Sequence, residues 1–95
     1  MNDKYDYIIE SIINKREDGK VNPYHSQIVG ERCAIGDLDT GTKCTLLIER
    51  FNLENVPYNR WYYTSYVTDI RSDDGMVVFD TVNSTYVLRL VEHGN

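Results

Sequence analysis

From residue 28 onward the chain is a succession of short β-branched and aromatic runs, each closed by a turn signal. This pattern limits the fold more than any other feature. The runs 28–35, 42–51, 60–71, 76–82 and 85–92 read as five strands. Asp37-Leu38-Asp39-Thr40-Gly41 is a turn dense in Asp and Gly, and Asp73-Asp74-Gly75 marks a tight hairpin. Asn83-Ser84 marks another. In the second run Cys44, Leu46 and Ile48 alternate with Thr45, Leu47 and Glu49, and in the last Tyr86, Leu88 and Leu90 share a face. Open edges invite aggregation, so a closed or covered sheet is expected.

Before the strands, Tyr5, Ile8, Ile9, Ile12 and Ile13 recur at helical spacing. Asn2 or Asp3 can cap a helix there, and Gly19 is a natural left-handed residue after its end. The spacing predicts a helix over 4–17, followed by a linker over 20–26 that Pro23 keeps irregular. The expected fold is α+β, with an N-terminal amphipathic helix before a five-stranded antiparallel sheet. That sheet is either strongly bent or closed into a small SH3- or OB-like barrel. With 95 residues the chain makes a single domain, 1–95. The isoleucine stripe either packs on this core or docks a partner or a second copy.

Two motifs carry a resemblance. Tyr63-Thr64-Ser65 with Val67 and Ile70, then Phe79, Thr81, Asn83-Ser84, Tyr86 and Leu88, are the marks of a strand–hairpin–strand meander. Residues 60–92 resemble the C-terminal meander of short bacterial and phage proteins with SH3-like small barrels. The resemblance implies a barrel and no activity, because small barrels host many functions.

Charge and chemistry narrow the function. The net charge is −5, from 15 acidic and 10 basic residues, so duplex nucleic acid is not an expected partner. No run approaches a membrane span, and Met1-Asn2-Asp3-Lys4 does not open a signal peptide. A cytoplasmic location is expected. Without a secretion signal, Cys33 and Cys44 are expected to be buried thiols, although a bridge across a hairpin is geometrically allowed. With His25 and His93 they lack metal-ligand spacing. The pairs Asp37/Asp39 and Asp73/Asp74 read as solvated turn formers before they read as cation ligands. There is no phosphate loop, no nucleophile elbow and no HExxH. No enzyme, no cofactor and no metal is expected.

The aromatic cluster is the strongest functional signal. Tyr58, Trp61, Tyr62, Tyr63 and Tyr66 crowd one segment beside Arg60. Strict alternation puts Trp61 and Tyr63 on one face, and Tyr62 and Tyr66 on the other. On that reading Trp61 and Tyr63 fill the core. The binding face is then Tyr58, Arg60, Tyr62 and Tyr66, with Asn55 from the adjoining loop. The expected function is non-catalytic binding of a protein partner. One concrete form is a phage or mobile-element inhibitor of a host defence system, of anti-CRISPR type. The alternative is a nucleotide or single-stranded nucleic-acid binder, whose bases stack on the same rings.

Overall fold

The computed structural model describes residues 6–51, 54 and 57–91, with the side chains of 50, 51 and 57–59 outside that description. Six strands close into one antiparallel barrel in sequence order. They are β1 (Tyr7–Asn14), β2 (Arg32–Asp37), β3 (Lys43–Phe51), β4 (Pro57–Asp73), β5 (Met76–Thr81) and β6 (Ser84–Leu90). Among the described residues one short helix, α1 (Tyr24–Ile28), stands between β1 and β2. Each strand pairs with its sequence neighbour, and β6 returns to β1. This is a closed up-and-down meander, without the crossing connection of a Greek-key OB barrel. The Cα radius of gyration, 13.5 Å, is that of a compact chain of this length. Among the described residues no helix is long and apolar enough to cross a membrane.

The expected α+β arrangement is therefore corrected: the segment read as an N-terminal helix is β1. The reason is a β-bulge. Ile9 pairs with Leu88 and Ser11 with Val87, so Glu10 is an extra residue in β1. Ile9 and Ile12 then pair with the core positions Leu88 and Tyr86, while Ile13 is 55% exposed. A bulge turns the two-residue period of a strand into a three-residue step. With isoleucines on both sides of it, the result imitates a helical stripe. Isoleucine itself is stiff at χ1 and suits a strand better. Gly19 does take a positive φ of 73°, but in a loop rather than after a helix. A second copy has no N-terminal helix to dock on over 7–14.

The linker expectation is corrected as well. Pro23 sits at the N-cap of α1 with φ −64° and ψ −20°, at the one end of a helix that proline tolerates. The Asn22 side-chain oxygen accepts from Tyr24 N at 2.9 Å and starts the turn. Ile28, read as the start of a strand, ends α1 and is buried. Gly30, at φ 91°, then redirects the chain into β2. At the far side of β3, Pro57 is the first residue of β4, a position where its missing N–H costs no ladder bond.

Closure is uneven. β1 pairs with β6 along its length, but with β2 only at Tyr7 and Ile8. Backbone bonds from Ile9 N to Glu31 O (3.0 Å) and from Gly30 N to Ile9 O (2.8 Å) extend the seam. Beyond it β1 and β2 diverge, and the connection 15–31 crosses the gap with Ile28 turned into the core. The β4–β5 and β5–β6 hairpins are tight. Asp74 (φ 46°) and Gly75 (φ 79°) both take the positive φ that a type I′ turn requires. At the β5–β6 turn, Thr81 Oγ1 accepts from Ser84 N and donates to Ser84 O, each at 3.0 Å.

The core alternates as the sequence predicts in β3 and most of β6. Cys44, Leu46 and Ile48 point inward, as do Tyr86 and Leu88, whereas Leu90 is exposed. Phe79 and Tyr86 stack at 5.0 Å with planes 8° apart. Cys33 and Cys44 are free, buried thiols, and burial pushes both up to about 12, so neither supplies a thiolate nucleophile.

The bulge gives a direct test. Ile9→Ala should cost ~2–5 kcal/mol by urea denaturation, the usual range for an emptied core site. Ile13→Ala should cost under ~0.5 kcal/mol, as exposed sites do. Similar losses at the two positions would contradict the bulged strand.

Candidate functional site

A second bulge decides what the aromatic segment presents. Lys43 pairs with Tyr66 and Thr45 with Tyr63, so β4 carries an extra residue between Tyr63 and Tyr66. At this break Thr64 turns inward. Its hydroxyl accepts from Cys44 N at 3.0 Å and donates to Ser65 O at 2.7 Å, bonds that replace the interrupted ladder. The phase then resets, and Tyr66 joins Trp61 and Tyr63 on the outer surface. Their exposures are 56%, 51% and 62%. Three rings thus share one outer strip about 15 Å long at the usual strand rise.

The predicted faces are reversed at Trp61, Tyr62 and Tyr63. Tyr62, expected to face out, packs against the core from the inward side. Its hydroxyl lies 3.1 Å from that of buried Tyr86, which lies 3.4 Å from His25 Nε2. The first residue of a run does not show which way the alternation starts, and an unseen bulge resets it. That is why counting by twos from Trp61 failed. The signal that could have separated them was Thr64-Ser65, two hydroxyl residues in the middle of an aromatic strand.

The other predicted residues divide. Tyr66 is exposed as expected, with Lys43 Nζ 5.6 Å from its ring centre. Arg60 is exposed too. Its guanidinium lies over the Tyr24 ring of α1 at 5.5 Å, at the opposite end of the strip. Tyr58 belongs to β4 opposite Arg50, but its side chain is outside the described residues, as is Asn55 altogether.

Trp61 is anchored although half exposed. It sits opposite Leu47 and leans toward Gly36, the extra residue of a bulge in β2. A Cβ at Gly36 would meet Trp61 Cζ3 at 3.0 Å and Thr45 Oγ1 at 2.5 Å. That hydroxyl already accepts from Asp37 N at 2.8 Å. The missing side chain at Gly36 leaves the seat that the indole edge occupies.

Among the described residues no three His, Cys, Asp or Glu side chains gather to hold a metal. His25, partly buried, is held below its ordinary value by desolvation. Its bond is to a tyrosine hydroxyl, not to a nucleophile–acid pair.

No family model matches the chain, no curated protein matches it, and no solved structure matches it. The likeness of residues 60–92 to phage barrel meanders accordingly rests on its sequence pattern.

Two measurements check this geometry. Tyr62→Ala should destabilise by ~3 kcal/mol, whereas Trp61→Ala should cost about 1 kcal/mol. The reverse ranking would restore the simple alternation. Gly36→Ala should shift the Trp61 emission maximum, because the new methyl displaces the indole. The His25 shift also has a sign. The fold favours the neutral imidazole, and the unfolded chain takes the proton more readily, so stability falls as pH drops through about 6.5 and below. The urea midpoint should decline more between about pH 7.5 and 5.5 in the native chain than in His25→Gln. Equal declines would remove His25 as the cause.

Proposed function

We propose that this barrel is a non-catalytic binding protein that docks a protein partner on the outer face of β4. The carrying observation is the row Trp61, Tyr63 and Tyr66, each more than half exposed on one outer strip. Tyrosine and tryptophan give large contact area with few rotors to freeze, and they dominate binding hot spots. The ladder with β3 supports all three rings, so little order has to be gained on binding. Lys43 stands beside Tyr66 at one end, and at the other Arg60, opposite buried Ile48, reaches over Tyr24 on the α1 side, so cations flank an apolar centre.

Occupying a partner's surface is sufficient for an inhibitor. A phage or mobile-element inhibitor of a host defence system is one concrete form of this proposal, suggested by small size, acidity and the absence of catalytic motifs taken together with the phage-like meander. A second reading draws on the same cations beside exposed rings: single-stranded nucleic acid could stack there. The net charge of −5 weighs against a polyanion and favours the protein partner.

A pull-down with the native chain should recover a stoichiometric protein. Trp61→Ala and Tyr66→Ala should each weaken that complex by ~2 kcal/mol or more, as hot-spot truncations do, while Ile13→Ala leaves it intact. Loss of the partner only in variants that unfold would count against this surface. Quenching of Trp61 by an oligothymidylate, relieved steeply by salt, would transfer the strip to the nucleic-acid reading.

A further inference from the structure

The aromatic strip leaves the mouth of the barrel without a role. Where β1 ends and the connection 15–23 leads to α1, the structure encloses a cavity of about 390 Å³. This volume lies within the range of small-molecule sites. Its floor is polar. The Tyr62 and Tyr86 hydroxyls and His25 form one hydrogen-bonded chain at its base. Asn14, Asn22 and Asn83 contribute amides to the wall, and Arg16 and Lys20 stand at the rim.

The charge pattern is selective. The chain carries 15 acidic residues, yet among the described residues no carboxylate lines this cavity, Asp18 standing beside it on Arg16 and Lys20 N. Arg16 is already neutralised by Asp18, which receives its Nε at 3.1 Å and its Nη2 at 2.6 Å. The Asn14 amide is spent on Lys20 O at 2.9 Å. Among the described residues the Lys20 ammonium and the Asn83 side-chain amide have no protein partner. Lys20 and Asn83 therefore line the same cavity as the tyrosine–histidine floor. A divalent cation finds no carboxylate there, and a purely apolar ligand would strip water from amides and an ammonium without replacing it.

We propose that this mouth binds a small organic anion. Its carboxylate or phosphate pairs with Lys20, and its polar body is received by Asn83 and the Tyr86–His25 end of the floor. The site meets the outer strip of β4 only at Tyr63 and does not depend on a protein partner.

The test uses the full, isotopically labelled chain titrated with benzoate, adenosine monophosphate and inorganic phosphate, followed by amide shifts. Benzamide and adenosine serve as the neutral counterparts. The expected result is saturable shifts at Lys20, Asn22, His25 and Asn83 for at least one of the anions. The matching neutral compound should bind at least about tenfold more weakly. Strongest binding by benzoate or adenosine monophosphate would support an organic anion; strongest binding by inorganic phosphate would overturn the organic body and leave only an oxyanion site. Lys20→Ala, in an exposed loop, should keep its melting temperature and lose about tenfold in affinity. The proposal is overturned if none of the three anions moves these residues. It is also overturned if benzamide and adenosine bind equally well, or if binding survives Lys20→Ala. Shifts confined to Trp61 and Tyr66, which lie outside the cavity lining, would overturn it too, while leaving the protein-docking face standing.

Discussion

Every surface of this barrel depends on where its strands carry an extra residue. A six-stranded sheet closes only if its strands coil strongly, and a bulge adds twist at a single point. Here bulges fall at Glu10 in β1, at Gly36 in β2, between Tyr63 and Tyr66 in β4 and at Thr68 in β4. Each one reverses the face of all that follows on its strand. Ile12 reaches the core only because of the first. Gly36 clears the seat for Trp61 because of the second. Tyr66 joins the outer rings because of the third, and Val67 and Ile70 can both turn inward because of the fourth. Closure and the choice of exposed rings share a cause.

The same devices explain what could be read from the sequence. The hairpin at Asp74-Gly75 was legible because positive φ is demanded by the turn itself and glycine answers it locally. The alternation of Cys44, Leu46 and Ile48 was legible because β3 carries no extra residue over that stretch. β1 was not legible, since a bulged strand rich in isoleucine has the same three-and-four spacing as a helix. Only pairing with β6 distinguishes them, and pairing is a long-range property. Pro23 was read as a breaker although it can equally begin a helix, and nothing local decides which. For the site, the aromatic cluster and its exposed character were visible, but the identity of the exposed rings was not. Tyr62 and Trp61 changed places, since one residue of phase separates core from surface.

Polar groups inside the barrel follow from the same geometry. Where the β3–β4 ladder breaks, Thr64 supplies the acceptor that Cys44 N would otherwise lack. Where β1 and β2 part, no strand can cover the interior, and the segment with α1 closes it with Ile28 and His25. An apolar plug would suffice for stability. Instead Tyr62, Tyr86 and His25 form a chain in which each buried polar atom has a partner, as a low-dielectric site requires. Desolvation holds the His25 imidazole toward its neutral form, in which Nε2 can accept from the Tyr86 hydroxyl while that oxygen receives the Tyr62 proton.

β4 links these two regions. Its seventeen residues run past both the mouth and the outer face. Tyr62 turns inward to the mouth, Trp61 turns outward to the strip, and Tyr63 borders the cavity while standing on the strip. Occupancy of the mouth would therefore bear on the same backbone that holds the rings in line. Energetic coupling between them requires more than adjacency, since a ligand shifts an equilibrium only by its differential affinity for two arrangements. The bulge between Tyr63 and Tyr66 is the place where β4 could take a second arrangement. Its phase is held there by side-chain bonds from Thr64 instead of a continuous ladder. The same holds where β1 and β2 part: the ladder stops at Tyr7 and Ile8, and side chains of the connecting segment take its place.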